Sequence, residues 1–307
     1  MRPAFVSALC ELAAEDERIW LLCGDLGYSA LEPFRDTFPA RYVNAGVAEQ
    51  NMTGLAAGLA LSGKVPFTYS IANFPTLRAL EQIRDDVCYH DCNVKIVSVG
   101  AGFSYGAQGY THHGVEDIAI MRALPEMVVV SPGDPVEARL ATRAIAKHDG
   151  PCYLRLGKSG ETTIHKSDPD FAIGRAIVLA EGTDVTLIAT GAVLKDTVEA
   201  ADKLRAEGIG ARVLSMHTVS PLDVAAVRAA ASETGAIVTI EEHNVVGGLG
   251  SAVADVLAEM GGPRPKLRKV GVPARRYHEI GSQKYMRGLL LGDIAQIARE
   301  ACARGSR

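Results

Sequence analysis

Short apolar runs alternate with longer amphipathic stretches along most of this 307-residue chain. This alternation is typical of parallel sheets covered by helices, and strands so continuously apolar are expected to be buried on both faces. In the first half, the strand-like runs are residues 19–23, 65–69, 94–99 and 127–131, and the helical stretches are residues 2–14, 49–62, 76–89 and 135–147.

The alternation is interrupted once and then resumes, which predicts two domains. The chain is longer than one ordinary domain of roughly 100–200 residues. Glycines and a polar segment break residues 150–180 into short pieces, so we expect the boundary there. We predict an α/β fold of two doubly wound domains with mainly parallel sheets, at residues 1–165 and 183–307, joined by a linker at residues 166–182. In the second half, the strand-like runs are residues 185–189, 211–216, 236–240 and 267–270, and the helical stretches are residues 194–207, 222–233 and 249–260.

The composition argues against several classes of protein. Hydrophobic residues make up 48% of the chain and the formal net charge is −4, so neither a basic nucleic-acid surface nor a disordered tail is indicated. No apolar run reaches the ~18–20 residues of a membrane span, and no signal peptide follows Met1. The six cysteines show no CxxC or disulfide-like spacing. We expect a cytoplasmic protein with small-molecule substrates and with neither nucleic acid nor membrane as a partner.

Two motifs invite a ligand site but have simpler explanations. Cys88 and Cys92 are soft ligands at close spacing, yet no second ligand pair follows, and buried free cysteines behave as small hydrophobes. We expect no metal site in this chain. The glycines of residues 247–250 lack the G-x-G-x-x-G spacing and follow Glu241 and Glu242, whose charge would repel a pyrophosphate. They are better explained by a tight strand-to-helix turn.

Glu49 heads a predicted helix rich in alanine and glycine, directly after a strand-like segment at residues 42–44. A glutamate at a helix N-terminus stabilises the helix by about 0.3–1 kcal/mol, and the position alone favours that ordinary role. A carboxyl group at a strand-to-helix corner also reaches the cleft where α/β proteins bind ligands. The residues by themselves therefore leave both interpretations open.

Other candidates follow predicted strands in the same half of the chain. His112 lies in a glycine-rich loop, where histidines are often surface residues, although a near-neutral pKa suits proton transfer. Phe74 precedes a proline that can start a helix, and core packing is the commoner role of phenylalanine. Asp25 and Ser29 come after the first strand, where loops of an α/β sheet reach the ligand crevice.

The segment around Glu49 and the loop Gly106–His112, in this order and spacing, resemble the pyrimidine-binding domain of thiamine-diphosphate enzymes, and of the transketolase family in particular. The resemblance implies that the Glu49 carboxyl donates a hydrogen bond to the aminopyrimidine ring of thiamine diphosphate. A carboxyl group in an apolar cleft keeps the proton that this donation requires. The resemblance further implies that Phe74 stacks on that ring, that Asp25 lies near the cofactor, and that His112 contacts the substrate.

The resemblance also implies a substrate-binding surface beyond His112. Ser29 falls on a substrate-phosphate contact of the family, and Arg155 and Lys158 fall close to another. His113 stands where glutamine is usual, and we include it among the substrate-binding candidates with its role open.

The chain departs from the transketolase pattern where the family binds sugar phosphate and hydroxyl groups. Gly100 and Ala101 replace a histidine and an aspartate, and Gln108 replaces a second aspartate. These changes remove charge and add room. They predict an acceptor that is bulkier or less polar than a pentose phosphate.

The Gly-Asp-Gly motif with which the family holds magnesium at the diphosphate does not occur in this chain. Magnesium needs oxygen ligands and usually bridges phosphates, so the chain alone should hold the cofactor poorly. The resemblance therefore implies the C-terminal, beta-like subunit of a split transketolase. We expect an N-terminal transketolase subunit to supply the diphosphate-binding domain and the Mg²⁺ ligands, in an α2β2 heterotetramer.

The implied activity is that of a transferase, which moves a two-carbon ketol unit from a ketose donor to an acceptor. A related alternative is the beta subunit of a 2-oxo acid dehydrogenase, or a condensing enzyme similar to deoxyxylulose-phosphate synthase. A non-catalytic assembly or regulatory subunit is an alternative of another class, because a fold alone does not establish activity. The sequence leaves the donor, the acceptor and the pathway open.

Overall fold

The computed structural model describes residues 1–262 and 264–303, which form two sheets and the helices around them. The strands, in chain order, are β1 (Ile19–Cys23), β2 (Tyr42–Asn44), β3 (Val65–Ile71), β4 (Lys95–Val99), β5 (Val128–Val130), β6 (Cys152–Leu156), β7 (Ile177–Ala180), β8 (Val185–Thr190), β9 (Ala211–Ser215), β10 (Thr218–Ser220), β11 (Ala236–Asn244) and β12 (Lys266–Val272).

The helices range from one turn to four. They are α1 (Arg2–Glu15), α2 (Glu32–Thr37), α3 (Glu49–Leu61), α4 (Leu80–Gln82, continued by a π-helical turn at Ile83–Cys88), α5 (Asp117–Arg122), α6 (Pro135–Lys147), α7 (Leu194–Ala206), α8 (Val224–Glu233), α9 (Leu249–Glu259), α10 (Gln283–Leu290) and α11 (Ile294–Ala303). Short 3-10 turns lie at Pro39–Arg41, Gly106–Gln108, Tyr110–His112 and Gly191–Val193. Within the described residues, none of the helices is long and apolar enough to cross a bilayer.

Both sheets are mainly parallel. The first has the strand order β10-β5-β6-β4-β3-β1-β2, and the second has the order β12-β11-β8-β9-β7. Two pairs are antiparallel, β10 with β5 and β7 with β9. Strands β4, β6 and β8 are buried along their whole length, as expected for strands covered on both faces. The structure therefore confirms the predicted α/β fold with two mainly parallel sheets.

Two strands do not follow the predicted division of the chain into domains. Strand β10 comes from the second half of the chain, yet Thr218 pairs with Val130 in the first sheet. Strand β7 lies within residues 166–182 and pairs with β9, so part of the predicted linker belongs to the second sheet. The boundaries of the domains themselves stay a prediction.

Local signals explain why α6 forms where the sequence predicts it. Asp134 precedes the helix, and its carboxylate accepts the Glu137 N–H at 2.8 Å. Pro135 occupies the first turn, where the backbone N–H that proline lacks would have no partner within the helix. Lys147 lies in the last turn, where the helix dipole stabilises a cation. The observed bounds agree with the predicted residues 135–147.

Strand β6 and helix α4 are among the elements that differ from the sequence-based prediction. Strand β6 lies between β5 and β4 in the first sheet, although the sequence predicts only short pieces at residues 150–180. The stretch at residues 76–89 becomes helical only from Leu80, because turns occupy the chain before it. There the Ala72 carbonyl accepts hydrogen bonds from the Thr76 hydroxyl at 3.0 Å and the Ser98 hydroxyl at 3.1 Å, which compete with helix formation.

Candidate active site

The carboxyl ends of four neighbouring strands bring most of the candidate residues to one edge of the first sheet. Because β2, β1, β3 and β4 are parallel neighbours, the segments that follow them start at the same edge. Asp25 follows β1, Glu49 follows β2, Phe74 follows β3 and His112 lies in the loop after β4.

Glu49 is a buried carboxylate, with 1% of its surface exposed. Its Oε2 accepts a hydrogen bond from Arg78 Nη1 at 2.7 Å, and its Oε1 lies 3.5 Å from the Ser70 hydroxyl. Gly24 leaves room beside Oε1, since a Cβ built on that glycine would lie 3.5 Å away. The sequence predicts an apolar cleft around this carboxyl, and the structure instead places a guanidinium against it.

Phe74 connects Glu49 with the histidine loop. Arg78 Cζ lies 4.6 Å from the centre of the Phe74 ring, and the Phe74 and His112 rings meet edge to face with their centres 5.3 Å apart. The neighbouring Asn73 amide donates to the His113 carbonyl at 2.8 Å, which ties the two segments together. The site therefore contains a carboxylate, a guanidinium, an aromatic face and an imidazole in continuous contact.

His112 is half-buried and lies beside a hydroxyl group. Its Nδ1 is 3.0 Å from Thr111 Oγ1. Burial lowers the pKa of His112 below its ordinary value, and the neighbouring His113 adds to this effect. The imidazole is consequently neutral at neutral pH, the state in which one nitrogen donates and the other accepts a proton.

Asp25 lies at the same edge but is exposed. Its Oδ1 accepts hydrogen bonds from the Asn44 amide at 2.9 Å and from the Tyr28 hydroxyl at 3.2 Å. Its backbone is in the left-handed region, with φ 55°, and its N–H donates to Asn44 Oδ1 at 3.0 Å. These bonds hold the carboxylate at the end of β1.

Arg2, a residue that sequence reasoning missed, contacts two of the candidate phosphate-binding segments. Its backbone N–H donates to the Lys158 carbonyl at 3.1 Å, and Arg2 and Ser29 line the same surface cleft. Lys158 is exposed, with its Nζ 5.2 Å from the centre of the Tyr105 ring. The Arg2 Nε is buried without a hydrogen-bond partner. No motif marks Arg2 in the sequence, and only the fold brings it to Lys158.

The structure does not bring Arg155 to this surface. Its guanidinium is buried and pairs with Asp117, with Nε 2.6 Å from Oδ2. Its Nη2 also donates to the carbonyls of Gly114 at 2.6 Å and Glu242 at 3.0 Å. These internal bonds explain how a charged side chain fits in β6, a buried interior strand of the sheet. Gln108, by contrast, is exposed on the histidine loop.

The glycine turn at residues 247–250 surrounds a carboxylate of the protein itself. The buried Glu241 accepts the N–H groups of Leu249 at 2.7 Å and Gly250 at 2.8 Å, at the N-terminus of α9. A Cβ on Gly248 would collide with this carboxylate. Because the amides that would bind a pyrophosphate are already used, the structure supports the interpretation as a tight turn.

The described part of the chain offers no cluster of metal ligands. Within residues 1–262 and 264–303, no group of three or more His, Cys, Asp or Glu side chains is placed to hold an ion. Cys88 is buried, and burial raises the pKa of its thiol to about 11, so it stays protonated.

Comparison with known families identifies both halves of the chain. Residues 1–160 match the model of the transketolase pyrimidine binding domain, and residues 174–291 match that of the transketolase C-terminal domain. The chain belongs to the transketolase family. The similarity to beta-like subunits of split transketolases is confirmed by relatives and solved structures.

Two relatives of this transketolase-family chain are named as transketolase subunits. It is 42% identical over 308 aligned positions to the 6-deoxy-6-sulfo-D-fructose transketolase subunit SqwH of Clostridium sp. (strain MSTE9), covering 99% of this chain and 95% of the relative. It is 41% identical over 274 positions to one of the apulose-4-phosphate transketolase subunits of Phocaeicola vulgatus, covering 89% of this chain and 87% of the relative.

Solved structures of transketolases also match this chain. A split gene transketolase, described as an inactive beta4 tetramer, superimposes with a TM-score of 0.87 at 41% identity and covers 98% of this chain and 97% of that one. The transketolase of Leishmania mexicana has a TM-score of 0.81 at 22% identity, and the match covers 100% of this chain but 46% of that one. This transketolase-family chain thus shares its fold with about half of that longer protein.

Proposed function

We propose that this chain is the pyrimidine-binding component of a split transketolase that transfers a two-carbon ketol unit from a ketose phosphate donor to an acceptor. The observation that carries the proposal is the contact between the buried Glu49, the Phe74 ring and His112 at one sheet edge. Membership of the transketolase family implies dependence on thiamine diphosphate, and relatives of about 40% identity are named as transketolase subunits.

The residues present fit the pyrimidine half of the cofactor. The Arg78 guanidinium, a flat group with hydrogen-bond donors, lies between the Glu49 carboxylate and the face of Phe74. A planar nitrogen heterocycle has the shape and the hydrogen-bonding groups for the same place. When bound, thiamine diphosphate supplies the nucleophilic carbon with which the C–C bond is broken and made.

Each residue of the chain has a distinct part in this proposal. Glu49 donates a proton in a hydrogen bond to the aminopyrimidine ring. An ionised carboxylate only accepts, so Arg78 has to release Oε2 before a proton can sit there. Phe74 provides the apolar face, Asp25 lies beside the cofactor, and neutral His112 binds a substrate hydroxyl and moves its proton.

The substrate anion is assigned to the exposed basic surface near the N-terminus. Lys158 supplies a positive charge, Ser29 supplies a hydroxyl group, and Arg2, which lines a cleft together with Ser29, supplies a guanidinium. Gly100 and Ala101, which stand where the family has charged side chains, favour a less polar acceptor. The names of the two relatives, one for a sulfonated sugar and one for apulose 4-phosphate, support a donor with an anionic group.

The partner in the proposal is an N-terminal transketolase subunit. Magnesium and the diphosphate would be held there, because this chain lacks the Gly-Asp-Gly motif. The solved relative described as an inactive beta4 tetramer supports the view that a beta chain without its partner is not active. We propose an α2β2 assembly with active sites between the two kinds of chain.

Calorimetry with thiamine diphosphate and Mg²⁺, on the chain alone and on the mixture with its N-terminal partner, tests this proposal. Binding only in the mixture, weakened in Glu49→Ala, which has no donor, and kept in the exposed control Glu81→Ala, is the expected result. Binding in neither sample, or full binding and activity of Glu49→Ala, would favour a non-catalytic role. Consumption of pyruvate in place of a ketose would favour a condensing enzyme.

A further inference from the structure

His113, the neighbour of His112, is held by a tyrosine from the second half of the chain. It is 1% exposed, its Nδ1 lies 3.2 Å from the Tyr277 hydroxyl, and its Nε2 lies 3.0 Å from the Gly106 carbonyl. The His113 and Tyr277 rings are stacked, with centres 5.8 Å apart and an angle of 10° between their planes. The side chain that replaces the usual glutamine therefore has both ring nitrogens in hydrogen bonds within the chain.

In the neutral form of a histidine one ring nitrogen donates and the other accepts, and the two hydrogen-bond partners of His113 determine which nitrogen does which. A carbonyl oxygen only accepts, so Nε2 donates to Gly106. Nδ1 is then an acceptor, and the Tyr277 hydroxyl donates to it. Burial raises the pKa of Tyr277 above its ordinary value, so the hydroxyl keeps the proton that this bond needs. We call this arrangement the His113–Tyr277 clasp.

Other contacts from the second half hold the same loop. The Gly281 N–H donates to the Gly106 carbonyl at 3.3 Å, and a Cβ on Gly106 would lie 2.6 Å from the Gly281 carbonyl oxygen. The Phe103 N–H donates to Glu242 Oε1 at 2.8 Å. Residues before and after His112 in the loop that follows β4 thus contact the second half of the chain. The backbones of Gly106 and Gly281 come so close that only glycine fits at position 106.

The clasp lies one residue from the candidate catalytic imidazole. The His113 carbonyl accepts from Asn73, beside Phe74, while its ring is held by Tyr277. His112 is connected to this fixed point by a single peptide, and its own N–H donates to Gly109 at 2.9 Å. Restraint of His113 from both sides therefore restricts where the His112 ring can point.

We propose that the His113–Tyr277 clasp positions His112, so that the second domain, and not the first alone, sets the geometry of the active site. Tyr277 is then a positioning residue, since it acts through His113 and does not contact the substrate. The inference rests on the proposed function in that His112 must act on the substrate. A displaced imidazole costs activity steeply, because proton transfer needs hydrogen-bond reach.

Tyr277→Phe tests the clasp, since it removes one hydroxyl and keeps the stacked ring. Its matched control is Tyr285→Phe, an exposed tyrosine on α10. His113→Gln is the conservative second variant, which keeps a donor for Gly106, and His113→Ala removes both bonds. Each variant is measured alone by ¹⁵N histidine NMR. Its kcat, KM and thermal unfolding are measured in the mixture with the N-terminal partner.

We expect Tyr277→Phe to shift the His112 and His113 ring signals and to lower kcat on the order of tenfold. Thiamine diphosphate binding and the unfolding temperature should stay close to wild type, and Tyr285→Phe should change neither signals nor kcat. His113→Gln should retain more activity than His113→Ala. In the wild type, the ¹⁵N shifts should show the Nε2–H tautomer of His113.

Unchanged His112 signals and kcat in Tyr277→Phe would overturn the clasp and leave the proposed function intact. If the His112 signals shift in Tyr277→Phe while His112→Ala keeps full activity, the clasp holds His112 but His112 is not catalytic. That result would contradict the proposed function alone. If Tyr277→Phe does not fold, the NMR and kinetics of His113→Ala decide, because that variant removes both bonds, and wild-type His112 signals and kcat in it also overturn the clasp.

Discussion

Arg78 and Glu49 form an ion pair in which only the anion is buried. Nη1 of Arg78 lies 2.7 Å from Oε2 of Glu49, and the two side chains are 46% and 1% exposed. A buried carboxylate is destabilising unless it is paired, whereas a half-exposed guanidinium keeps part of its hydration. The contact therefore matters mainly for Glu49, the residue proposed to bind the cofactor.

Arg78→Met should destabilise the isolated chain, because it leaves the buried Glu49 carboxylate unpaired while the methionine still covers Phe74. We expect a loss of about 1–3 kcal/mol, less than for a fully buried pair, since Arg78 is partly solvated. Urea unfolding at pH 7 measures it. Arg84→Met, on an exposed arginine of the same segment, is the control and should stay within about 0.5 kcal/mol.

The double variant Glu49→Gln/Arg78→Met tests whether the two side chains act as a pair. Without the charge on residue 49, the loss of Arg78 should cost much less, so the two single effects should not add. Additive effects would show that Arg78 stabilises the chain through its packing on Phe74 and not through the carboxylate.

His112→Gln should remove a pH-dependent step from the activity of the assembled enzyme. Burial lowers the pKa of His112, so the imidazole stays neutral to a lower pH than a solvent-exposed histidine would. The acidic limb of kcat/KM should accordingly lie below the ordinary histidine pKa of about 6.5 and be absent in the variant. An acidic limb that persists unchanged in His112→Gln would assign it to another group.

The sequence predicts the fold better than the site because strands buried on both faces carry their signal locally. Strand β1 and helix α6 have the predicted bounds, since apolar runs and capping residues lie within each element. Strand β6 escapes prediction because Arg155 interrupts its apolar pattern, and the Asp117 that neutralises this charge is distant in the chain.

Long-range contacts account for the parts of the site that the sequence does not reveal. Glu49 and His112 stand in short motifs that resemble those of a known family, and so they are visible one segment at a time. The contacts between Tyr277 and His113, and between Arg2 and Lys158, join residues that are far apart in the chain. No single window of sequence contains both partners, so only the fold shows these pairs.

Lys158→Met should weaken the binding of phosphorylated donors selectively. Lys158 is exposed beside Arg2 and the Tyr105 ring, and a charge-assisted hydrogen bond to phosphate contributes about 1.5–3 kcal/mol. We expect KM for a ketose phosphate to rise by about tenfold or more, with little change for the unphosphorylated ketose. Lys166→Met, on another exposed lysine, is the control. An equal rise in KM for both donors would contradict a phosphate contact.

His243 should make the stability of the chain depend on pH. The ring is fully buried, with Nδ1 donating to the Asn244 carbonyl at 2.8 Å and Nε2 accepting the Ala119 N–H at 3.3 Å, and burial lowers its pKa to about 4. In the unfolded chain the pKa is close to 6.5, so protons bind the unfolded state first as the pH falls. This contribution to stability is complete above pH 6.5 and is lost towards pH 4, by on the order of 3 kcal/mol.

His243→Asn isolates this effect, because asparagine cannot titrate and its amide can still donate to the Asn244 carbonyl. Glu241 contributes with the opposite sign, since burial raises its pKa to about 7 and favours the folded state as the pH falls from 7 to 4.5. Glu241 is present in both proteins, so its own burial contribution cancels in their difference, and only its coupling to residue 243, 3.7 Å from His243 Nδ1, remains. Urea unfolding between pH 4 and 8 should show the wild type losing more stability than His243→Asn below pH 6.5. Parallel curves would mean that His243 titrates in the folded protein as it does in the unfolded chain.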